Sequence, residues 1–344
     1  MKIVIDRAIP FVQGVFEPYA EVLYREGAQI CREDLSGADA LITRTRTQCN
    51  EELLGGTGVK MIATATIGTD HIDQKFCAQN GIFWSNAAGC NSGGVMNYVL
   101  SALFGSASRK RTSLQGATFG IIGAGHAGSR VEAAARILGF KLLLCDPPKA
   151  RDDSSGRYCT QDELLAESDI VSLHVPLSES TRGMANADFF ARMRYGAFFI
   201  NTSHGELVDE EALIEARPKL GHIIIDTWSG EPAINRKLLS VSDIATPHIA
   251  GYSYQGKQNA TMLAVRSVAR FFGISGLYEF FPATDIRELE SVKLELRGKD
   301  QGRITAAMQY NYPVFTDDFM FRINPAAFSE LRDNYSYRRE FYID

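Results

Sequence analysis

The chain has 344 residues, which exceeds one ordinary domain and predicts two domains with a remainder to be assigned. Hydrophobic residues make up 45% of the chain and charged residues 22%, an ordinary globular composition that excludes collagen-like, disordered and low-complexity classes. The net charge of -5 excludes a generally basic protein, so we expect no nucleic-acid or membrane partner. An anionic ligand would then need a local cluster of cations.

From the N-terminus, short apolar runs alternate with longer segments of helical period, a pattern that predicts parallel sheets with helical crossovers. The predicted strands are, in chain order, KIVID, ALITR, KMIATAT, IFWSN, FGIIG, LLLCD, IVSLHV, AFFIN, HIIID and DIATP. A long apolar segment at 93–106 interrupts the series after the fourth strand and is predicted as a buried helix between two sheet units. A second helix, at 259–273, is predicted to return the chain to the first unit.

The pattern predicts an α/β protein with two doubly wound parallel-sheet domains, formed by 1–92 with 253–280 and by 93–252, and a small α+β domain at 281–344. In the last domain we predict a strand at 291–296 and helices at 313–322 and 325–341. Ten aromatic residues fall between Tyr310 and Tyr342. Aromatic residues at helical spacing usually form a core, but in so small a module they can also cover a face against another chain. We therefore expect this domain to make a homodimer.

The location of the protein is suggested by its first residues and its cysteines. The N-terminus enters a strand-like run without a hydrophobic leader, and no apolar stretch approaches 18 residues, so we expect neither secretion nor a membrane span. The six cysteines form no CxxC or CxxH pair, which favours free thiols in a reducing cytoplasm and no metal site.

A glycine motif, Gly123-x-Gly125-x-x-Gly128, follows a predicted strand and precedes a helical run, and the next strand ends in Asp146. The first glycine allows a tight turn, the second lets the backbone approach a pyrophosphate, and the third lets the helix pack on the strand. An acid at Asp146 suits the adenosine ribose hydroxyls and would repel a 2′-phosphate. The motif therefore predicts a dinucleotide site that favours NAD over NADP.

Polar segments follow three later strands of the same domain, at 201–205, 226–232 and 246–252. In an open parallel sheet these carboxyl ends are where ligands bind. Removing hydride from an alcohol carbon needs a base for the hydroxyl proton, which suits His248, and a carboxylate to orient the imidazole, which suits Glu231. Each residue alone is explained as well by a loop role, but together after a dinucleotide motif they favour a dehydrogenase. Among the other histidines, His222 is expected on a surface turn.

The order GIIGAGHAG, LLLCD, LHVPL, INTSHGELVDEEAL, DTWSGEP, TPHIAG resembles the NAD-dependent D-2-hydroxyacid dehydrogenases. ATIGTDHID, CDPP, PHIAGYSYQGK and the terminal FSELRDNYSYRRE are similar, more particularly, to a branch of that family with an extra C-terminal domain, whose substrate is a phosphorylated four-carbon 2-hydroxyacid of vitamin B6 biosynthesis. The resemblance runs over the whole chain. It implies a flavodoxin-like substrate domain, a Rossmann NAD domain and a C-terminal dimerisation domain.

The resemblance also implies residue roles. His248 would be the acid/base and Glu231 its partner. The residues implied to contact NAD are Gly123, Gly125, His126, Ala127, Gly128, Asp146, Val175, Asp226 and Gly251. Those implied to contact the substrate are Arg44, Thr45, Arg46, Thr66 and Tyr252.

One position departs from the family pattern. The resemblance implies the motif N-x-x-R-G at 201–205, and this chain has His204 at the position of the arginine. Arginine offers a permanent charge and a two-pronged donor for the substrate carboxylate, whereas neutral histidine offers one donor. Three explanations stay open: substrate charge holds His204 protonated, Arg44 or Arg46 takes the carboxylate, or the protein binds NAD without turnover. The alternatives to the expected enzyme are a dehydrogenase for another 2-hydroxyacid and a catalytically weak NAD-binding sensor or scaffold.

Overall fold

The computed structural model describes residues 1–283, 287 and 290–344. The strands are β1 (Lys2–Asp6), β2 (Glu21–Arg25), β3 (Ala40–Thr43), β4 (Met61–Thr64), β5 (Phe83–Asn86), β6 (Thr118–Ile122), β7 (Lys141–Cys145), β8 (Ile170–Leu173), β9 (Phe198–Asn201), β10 (His222–Ile225), β11 (Ile244–Ala245), β12 (Val292–Leu294) and β13 (Phe341–Ile343). The α-helices are α1 (Glu51–Leu54), α2 (Gln74–Gln79), α3 (Ser92–Arg109), α4 (His126–Ile137), α5 (Pro147–Ala150), α6 (Gln161–Glu167), α7 (Ala187–Arg192), α8 (Glu210–Glu215), α9 (Arg236–Val241), α10 (Tyr254–Phe272), α11 (Gln301–Asn311), α12 (Val314–Ile323) and α13 (Phe328–Asp333). Across these residues, none of the helices has the length and apolarity needed to cross a bilayer.

The chain forms two compact units, which are described separately. Unit 1 comprises Met1–Asn91 with Tyr254–Glu288, and unit 2 comprises Ser92–Ser253 with Leu289–Asp344. Residues 290–344 group with unit 2, and the separate C-terminal domain expected from the sequence stays a prediction. The predicted α/β class with parallel sheets is confirmed by two sheets of five and six strands and a small C-terminal sheet.

Unit 1 is built on a parallel sheet with strand order β2-β1-β3-β4-β5, the order of flavodoxin-like folds. Helix α10 returns to this sheet and buries Val265 and Val268 in one cluster with Ile3 and Ile5. The edge strand β2 was not predicted. Its sequence EVLYR has only three apolar residues between two charged ones, and none of its five residues is fully buried.

Unit 2 is built on a parallel sheet with strand order β11-β10-β9-β8-β6-β7. Every residue of β8, β9 and β10 is buried, because helices cover both faces, and this explains why three of the four residues in each strand are apolar. Strand β7 lies on one side of β6 and β8 on the other. This topological switch point is where open α/β sheets bind ligands, and the glycine motif begins directly after β6.

The C-terminal segment differs from its prediction in two places. Helix α11 was not predicted, and the helix predicted at 325–341 ends at Asp333. Residues Phe341–Ile343 instead form β13, which pairs in parallel with β12. The buried Asn97 of α3 explains the change, because its side chain donates to the Phe341 carbonyl (2.7 Å) and accepts from the Phe341 N–H (2.9 Å). A partner 244 residues away in the chain decides this strand.

Helix α12 covers the free edge of the sheet of unit 2. The Ala245 N–H in β11 donates to Asp318 (2.8 Å), so the last strand does not leave this donor unsatisfied. The ring of Phe321 packs 5.8 Å from that of Trp228, which lies in the loop after β10. The C-terminal segment is thereby attached to the loops at the carboxyl end of β10.

His222 is not the surface residue that the sequence predicted. It begins β10, is 2% exposed and stacks on Phe198 with ring centroids 3.7 Å apart. Its two ring nitrogens lie 2.7 Å from the Ser106 hydroxyl and 2.9 Å from the Thr112 hydroxyl. Burial, together with the charge of Lys110, lowers the pKa of His222 to about 4. His222 is a structural residue of the core, and the surface prediction was wrong.

Candidate active site

The glycine motif of unit 2 forms a tight loop between β6 and α4. Gly123 has φ 94°, and a methyl group there would lie 2.6 Å from the His174 backbone. A methyl group at Gly128 would lie 1.9 Å from the Gly123 carbonyl oxygen. At Gly125, by contrast, a methyl group would meet no atom within 4 Å. The first and third glycines are therefore required by the fold, and the second borders open space at the N-terminus of α4.

Asp146 lies against this loop. It follows β7, the neighbour of β6, and its carboxylate accepts hydrogen bonds from the Ala124 N–H (2.8 Å) and the Lys149 N–H (3.2 Å). The Val175 side chain lies beside Gly123, 2.9 Å from where a methyl group would stand. The structure thus brings Asp146, Val175 and the glycine loop together. His126 is exposed and Ala127 is half-buried in the first turn of α4.

These residues fit a dinucleotide. The first turn of α4 presents backbone N–H groups and the positive end of the helix dipole, which stabilise a pyrophosphate. The space above Gly125 lets the phosphate approach the backbone. Asp146 is half-buried, beside the loop, where a ribose diol could donate to its carboxylate.

His248 and Glu231 form a direct pair in the loops after β11 and β10. His248 Nδ1 lies 2.8 Å from Oε2 and 3.1 Å from Oε1 of Glu231. Both side chains keep contact with solvent, with 33% of His248 and 19% of Glu231 exposed. The pairing that the sequence could only propose is present in the structure.

The backbone around His248 is held in an unusual conformation. His248 has φ 57°, in the left-handed region that residues with a side chain seldom adopt. Its N–H donates to the Asp226 carbonyl (2.8 Å), which fixes the turn. The backbone sets the position from which the imidazole projects, and the Glu231 carboxylate orients its Nδ1.

Glu231 is ionised in this environment. Burial raises its pKa, but the hydrogen bond and charge of His248, the Trp228 N–H (2.9 Å) and the charge of Arg332 lower it by more, so the pKa of Glu231 lies below its ordinary value. An ionised carboxylate only accepts hydrogen bonds, so Nδ1 of His248 must carry a proton. In a neutral imidazole the outer nitrogen Nε2 is then unprotonated and can accept a proton.

Asp226 organises the loop that carries His248. Its carboxylate is 1% exposed and accepts from the Thr246 hydroxyl (2.6 Å) and the N–H groups of Ile249 and Ala250 (both 2.9 Å). Burial raises the pKa of Asp226 above its ordinary value, against the opposing effects of His248 and these hydrogen bonds. The carboxylate is thus engaged with the 246–250 loop, which leads into Gly251. Its predicted contact with NAD stays a prediction.

His204 lies in the loop after β9, next to the loop that leads to Glu231. The Asn201 side chain donates to the His204 carbonyl (2.8 Å). A methyl group at Gly205 would lie 1.9 Å from the Trp228 carbonyl carbon, so only glycine permits this approach of the two loops. His204 is half-buried. His204, where the resemblance implies an arginine, therefore lies in the same part of unit 2 as the His248–Glu231 pair.

Arg332 was not predicted as a site residue. It lies on α13, with Nη1 3.8 Å from Glu231 Oε2, and its Nε donates to the Tyr252 hydroxyl (3.2 Å). Tyr252 is also surrounded by the rings of Tyr335 and Tyr337, at 6.1 and 6.2 Å. No local pattern singles out Arg332, because its neighbours at the site are at least 80 residues away in sequence. The one available signal was its place in the terminal segment FSELRDNYSYRRE.

The predicted substrate residues of unit 1 lie at the carboxyl ends of two neighbouring strands. Arg44 follows β3 and donates to the Ala8 carbonyl (3.2 Å), and Thr45 and Arg46 are exposed. Thr66 follows β4, and its hydroxyl lies 2.7 Å from that of Thr64. Strands β3 and β4 pair in parallel, so the structure brings these two loops to the same edge of the sheet.

Comparisons with known proteins agree with this geometry. Residues 98–250 match the family model of the D-isomer specific 2-hydroxyacid dehydrogenase, NAD binding domain.

The described residues contain no group of three or more His, Cys, Asp or Glu side chains arranged to hold a metal ion.

Two of the similar curated relatives are erythronate-4-phosphate dehydrogenases. That of Bacteroides thetaiotaomicron is 40% identical and that of Cronobacter sakazakii 38% identical, each over 99% of this chain and over 97% and 92% of the relative. Among solved structures, NAD+-bound 3-phosphoglycerate dehydrogenase of Entamoeba histolytica has a TM-score of 0.67 at 28% identity and covers 81% of this chain and 97% of its own. The TT0316 protein of Thermus thermophilus has a TM-score of 0.69 at 26% identity over 79% of this chain and 97% of its own. The resemblance stated from the sequence is confirmed.

Proposed function

Because the chain belongs to the erythronate-4-phosphate dehydrogenase family of D-isomer specific 2-hydroxyacid dehydrogenases, we propose that it oxidises 4-phospho-D-erythronate at C2. The product is 2-oxo-3-hydroxy-4-phosphobutanoate, on the route to pyridoxal phosphate. The observation that carries this proposal is the His248–Glu231 pair in the same unit as the glycine loop. A sensor that only binds NAD would not need this pair.

In the proposed reaction, Nε2 of His248 accepts the proton of the C2 hydroxyl. Glu231 holds Nδ1 protonated and stabilises the imidazolium that forms, because its carboxylate stays ionised. NAD, when bound, accepts the hydride that leaves C2. The Asp226 carboxylate accepts hydrogen bonds from the 246–250 loop and so holds the backbone that carries the His248 imidazole.

The cofactor contacts follow from the loops at the switch point of the sheet of unit 2. The glycine loop and the N-terminus of α4 bind the pyrophosphate, and Asp146 accepts from the ribose hydroxyls and disfavours a 2′-phosphate. The residues proposed to hold NAD are Gly123, Gly125, His126, Ala127, Gly128, Asp146, Val175, Asp226 and Gly251.

The residues proposed to bind the substrate are Arg44, Thr45, Arg46, Thr66 and Tyr252, and His204 is proposed as a third catalytic residue beside His248 and Glu231. His204 donates a hydrogen bond to the C1 carboxylate and takes the place of the family arginine. Because a neutral histidine lacks the permanent charge and the paired donors of arginine, we expect weak or narrow activity.

We also propose a cytoplasmic homodimer formed through the C-terminal segment. Its support is a set of exposed apolar side chains in this segment, with Tyr310 83%, Phe319 62% and Ile323 62% exposed. The six cysteines form no disulfide within the described residues, as is usual for thiols in a reducing compartment. Light scattering after size-exclusion chromatography tests the dimer: Ile323→Glu is expected to shift the mass to that of one chain, and a wild type that is already monomeric would contradict it.

The activity is tested by adding 4-phosphoerythronate, 3-phosphoglycerate and unphosphorylated erythronate in turn with NAD and following the absorbance of NADH. The fastest formation of NADH is expected with 4-phosphoerythronate. A higher kcat/KM with another 2-hydroxyacid would contradict the proposed substrate. No NADH with all three, from protein that binds NAD, would favour the sensor.

A further inference from the structure

Arg332 places its guanidinium beside Glu231 and Tyr252 in unit 2. Its Nε donates to the Tyr252 hydroxyl, and its Nη1 lies 3.8 Å from the Glu231 carboxylate. The guanidinium carbon is 5.9 Å from the centre of the Tyr252 ring. About a third of the Arg332 side chain is exposed. An arginine from the C-terminal segment therefore reaches the catalytic pair and is still open to a ligand.

The donors of Arg332 are only partly used by the protein. The separation of Nη1 from Glu231 is too long for a hydrogen bond. Both Glu231 oxygens already accept, one from His248 and one from the Trp228 N–H. Within the described residues, Nη2 of Arg332 makes no hydrogen bond. This edge of the planar guanidinium matches the geometry of a carboxylate or phosphate, which accepts two parallel hydrogen bonds from it.

We propose that Arg332 binds the phosphate of the substrate and so determines the preference for a phosphorylated 2-hydroxyacid. This inference rests on the proposed function. It gives the C-terminal segment a part in substrate recognition, and it supplies a permanent cation to a protein of net charge -5 whose position 204 lacks the family arginine.

The position of the guanidinium favours the phosphate over the C1 carboxylate. The reacting hydroxyl must lie at Nε2 of His248, whereas Arg332 lies beside Glu231, which occupies the Nδ1 side of the imidazole. The carboxylate carbon is bonded directly to C2 and stays close to that hydroxyl. The phosphate is separated from C2 by C3, C4 and the ester oxygen, so it is the group that can extend as far as Arg332. The Tyr252 hydroxyl accepts a hydrogen bond from Arg332 Nε, so Tyr252 lies next to the proposed phosphate position.

The competing explanation is that Arg332 only positions Glu231 and Tyr252. The two roles have different kinetic signatures. Loss of a phosphate contact raises KM for 4-phosphoerythronate and raises the inhibition constant of inorganic phosphate by a similar factor. Loss of a positioning contact lowers kcat for every substrate and leaves inhibition by phosphate unchanged.

The experiment compares the wild type with Arg332→Gln and Arg332→Lys. Arg303→Gln is the matched control, because Arg303 also lies in the C-terminal segment, is 74% exposed, and forms an ion pair with Asp300 three residues earlier. Initial rates of NADH formation give kcat and KM for 4-phosphoerythronate and for erythronate, with inorganic phosphate as competing anion. Circular dichroism confirms that each variant is folded.

With Arg332→Gln we expect KM for 4-phosphoerythronate and the inhibition constant of phosphate to rise about 10- to 100-fold, the effect of one or two charge-assisted hydrogen bonds. The KM for erythronate should rise much less than the KM for 4-phosphoerythronate, Arg332→Lys should recover part of the loss, and Arg303→Gln should match the wild type. Equal losses for both substrates, or an unchanged phosphate inhibition constant, would overturn the proposal.

A binding measurement separates this inference from the proposed function. If the wild type oxidises none of the 2-hydroxyacids, the affinity of the NADH-saturated protein for 4-phosphoerythronate and for inorganic phosphate is measured by calorimetry. Binding that weakens in Arg332→Gln would retain the phosphate site while the proposed reaction fails. Binding that is absent, or equal in the variant, would overturn the phosphate site.

Discussion

The glycine loop and the catalytic cluster of unit 2 are assembled in different ways. In the glycine loop, the close approach joins Gly128 to Gly123, and the acid Asp146 reaches Ala124 from 22 residues away in the next strand. In the catalytic cluster, Glu231 and His248 come from successive loops, and Arg332 joins Tyr252 across 80 residues. The first site is a property of one β-α-β unit, and the second needs the whole sheet and the C-terminal segment. A local site can be read as a motif, whereas a dispersed site shows only part of its members.

The sharpest way to separate the two sites is to remove the base alone. With His248→Asn, kcat/KM for 4-phosphoerythronate should fall about 10²- to 10⁴-fold, because no group remains to take the hydroxyl proton. The affinity for NADH, measured by fluorescence titration, should change little, because the glycine loop is built independently. A variant that keeps wild-type turnover would show that His248 is not the base.

A smaller effect is expected from adding one methyl group to the glycine loop. Gly128→Ala should lower the free energy of unfolding of the cofactor-free protein by about 1–3 kcal/mol, because the methyl group would lie 1.9 Å from the Gly123 oxygen. Gly125→Ala is the matched control. It should leave that stability unchanged but weaken NADH binding, since its methyl group points into the open space above the loop. Chemical denaturation with and without NADH measures both, and equal stability of the two variants would refute the packing argument.

Placing an arginine at position 204 tests whether His204 limits the activity. His204→Arg should raise kcat/KM about 10- to 100-fold, the value of a charge-assisted, two-pronged contact with the substrate carboxylate. His204→Gln serves as the control, since it adds no charge. If the wild type is already as fast as the arginine variant, His204 performs the role of arginine in this protein.

The smallest effect concerns a buried histidine that belongs to neither site. The pKa of His222 is about 4 in the folded protein, below its ordinary value of 6.5, so the unfolded chain binds more protons between these pH values. The contribution of His222 to stability is therefore complete above about pH 6.5 and is lost as the pH falls toward 4, by at most a few kcal/mol. His222→Gln should be less stable at pH 7 but should lose less stability on acidification. Urea unfolding of both proteins at pH 7 and pH 4.5 measures this. An equal loss of unfolding free energy between the two pH values in both proteins would contradict it.

Much of the fold was predictable because it has a local physical signal. Strands such as β8 and β9 are buried on both faces, and three of the four residues in each are apolar. The edge strand β2 has no such signal, because its side chains are partly exposed on both faces. Strand β13 was misassigned to a helix, since its conformation depends on Asn97 rather than on its own residues.

Residue types and spacing alone determined the parallel α/β class, the glycine loop with Asp146, and the candidacy of His248 and Glu231, because hydrophobic period, backbone sterics and strand ends act over short stretches of chain. Only the tertiary structure decided that His248 and Glu231 meet at 2.8 Å and that Arg332 stands beside them. The physical reason is that a hydrogen bond or an ion pair depends on distance in space. Where the chain returns from 80 residues away, distance is set by the packing of whole elements and not by neighbours in sequence.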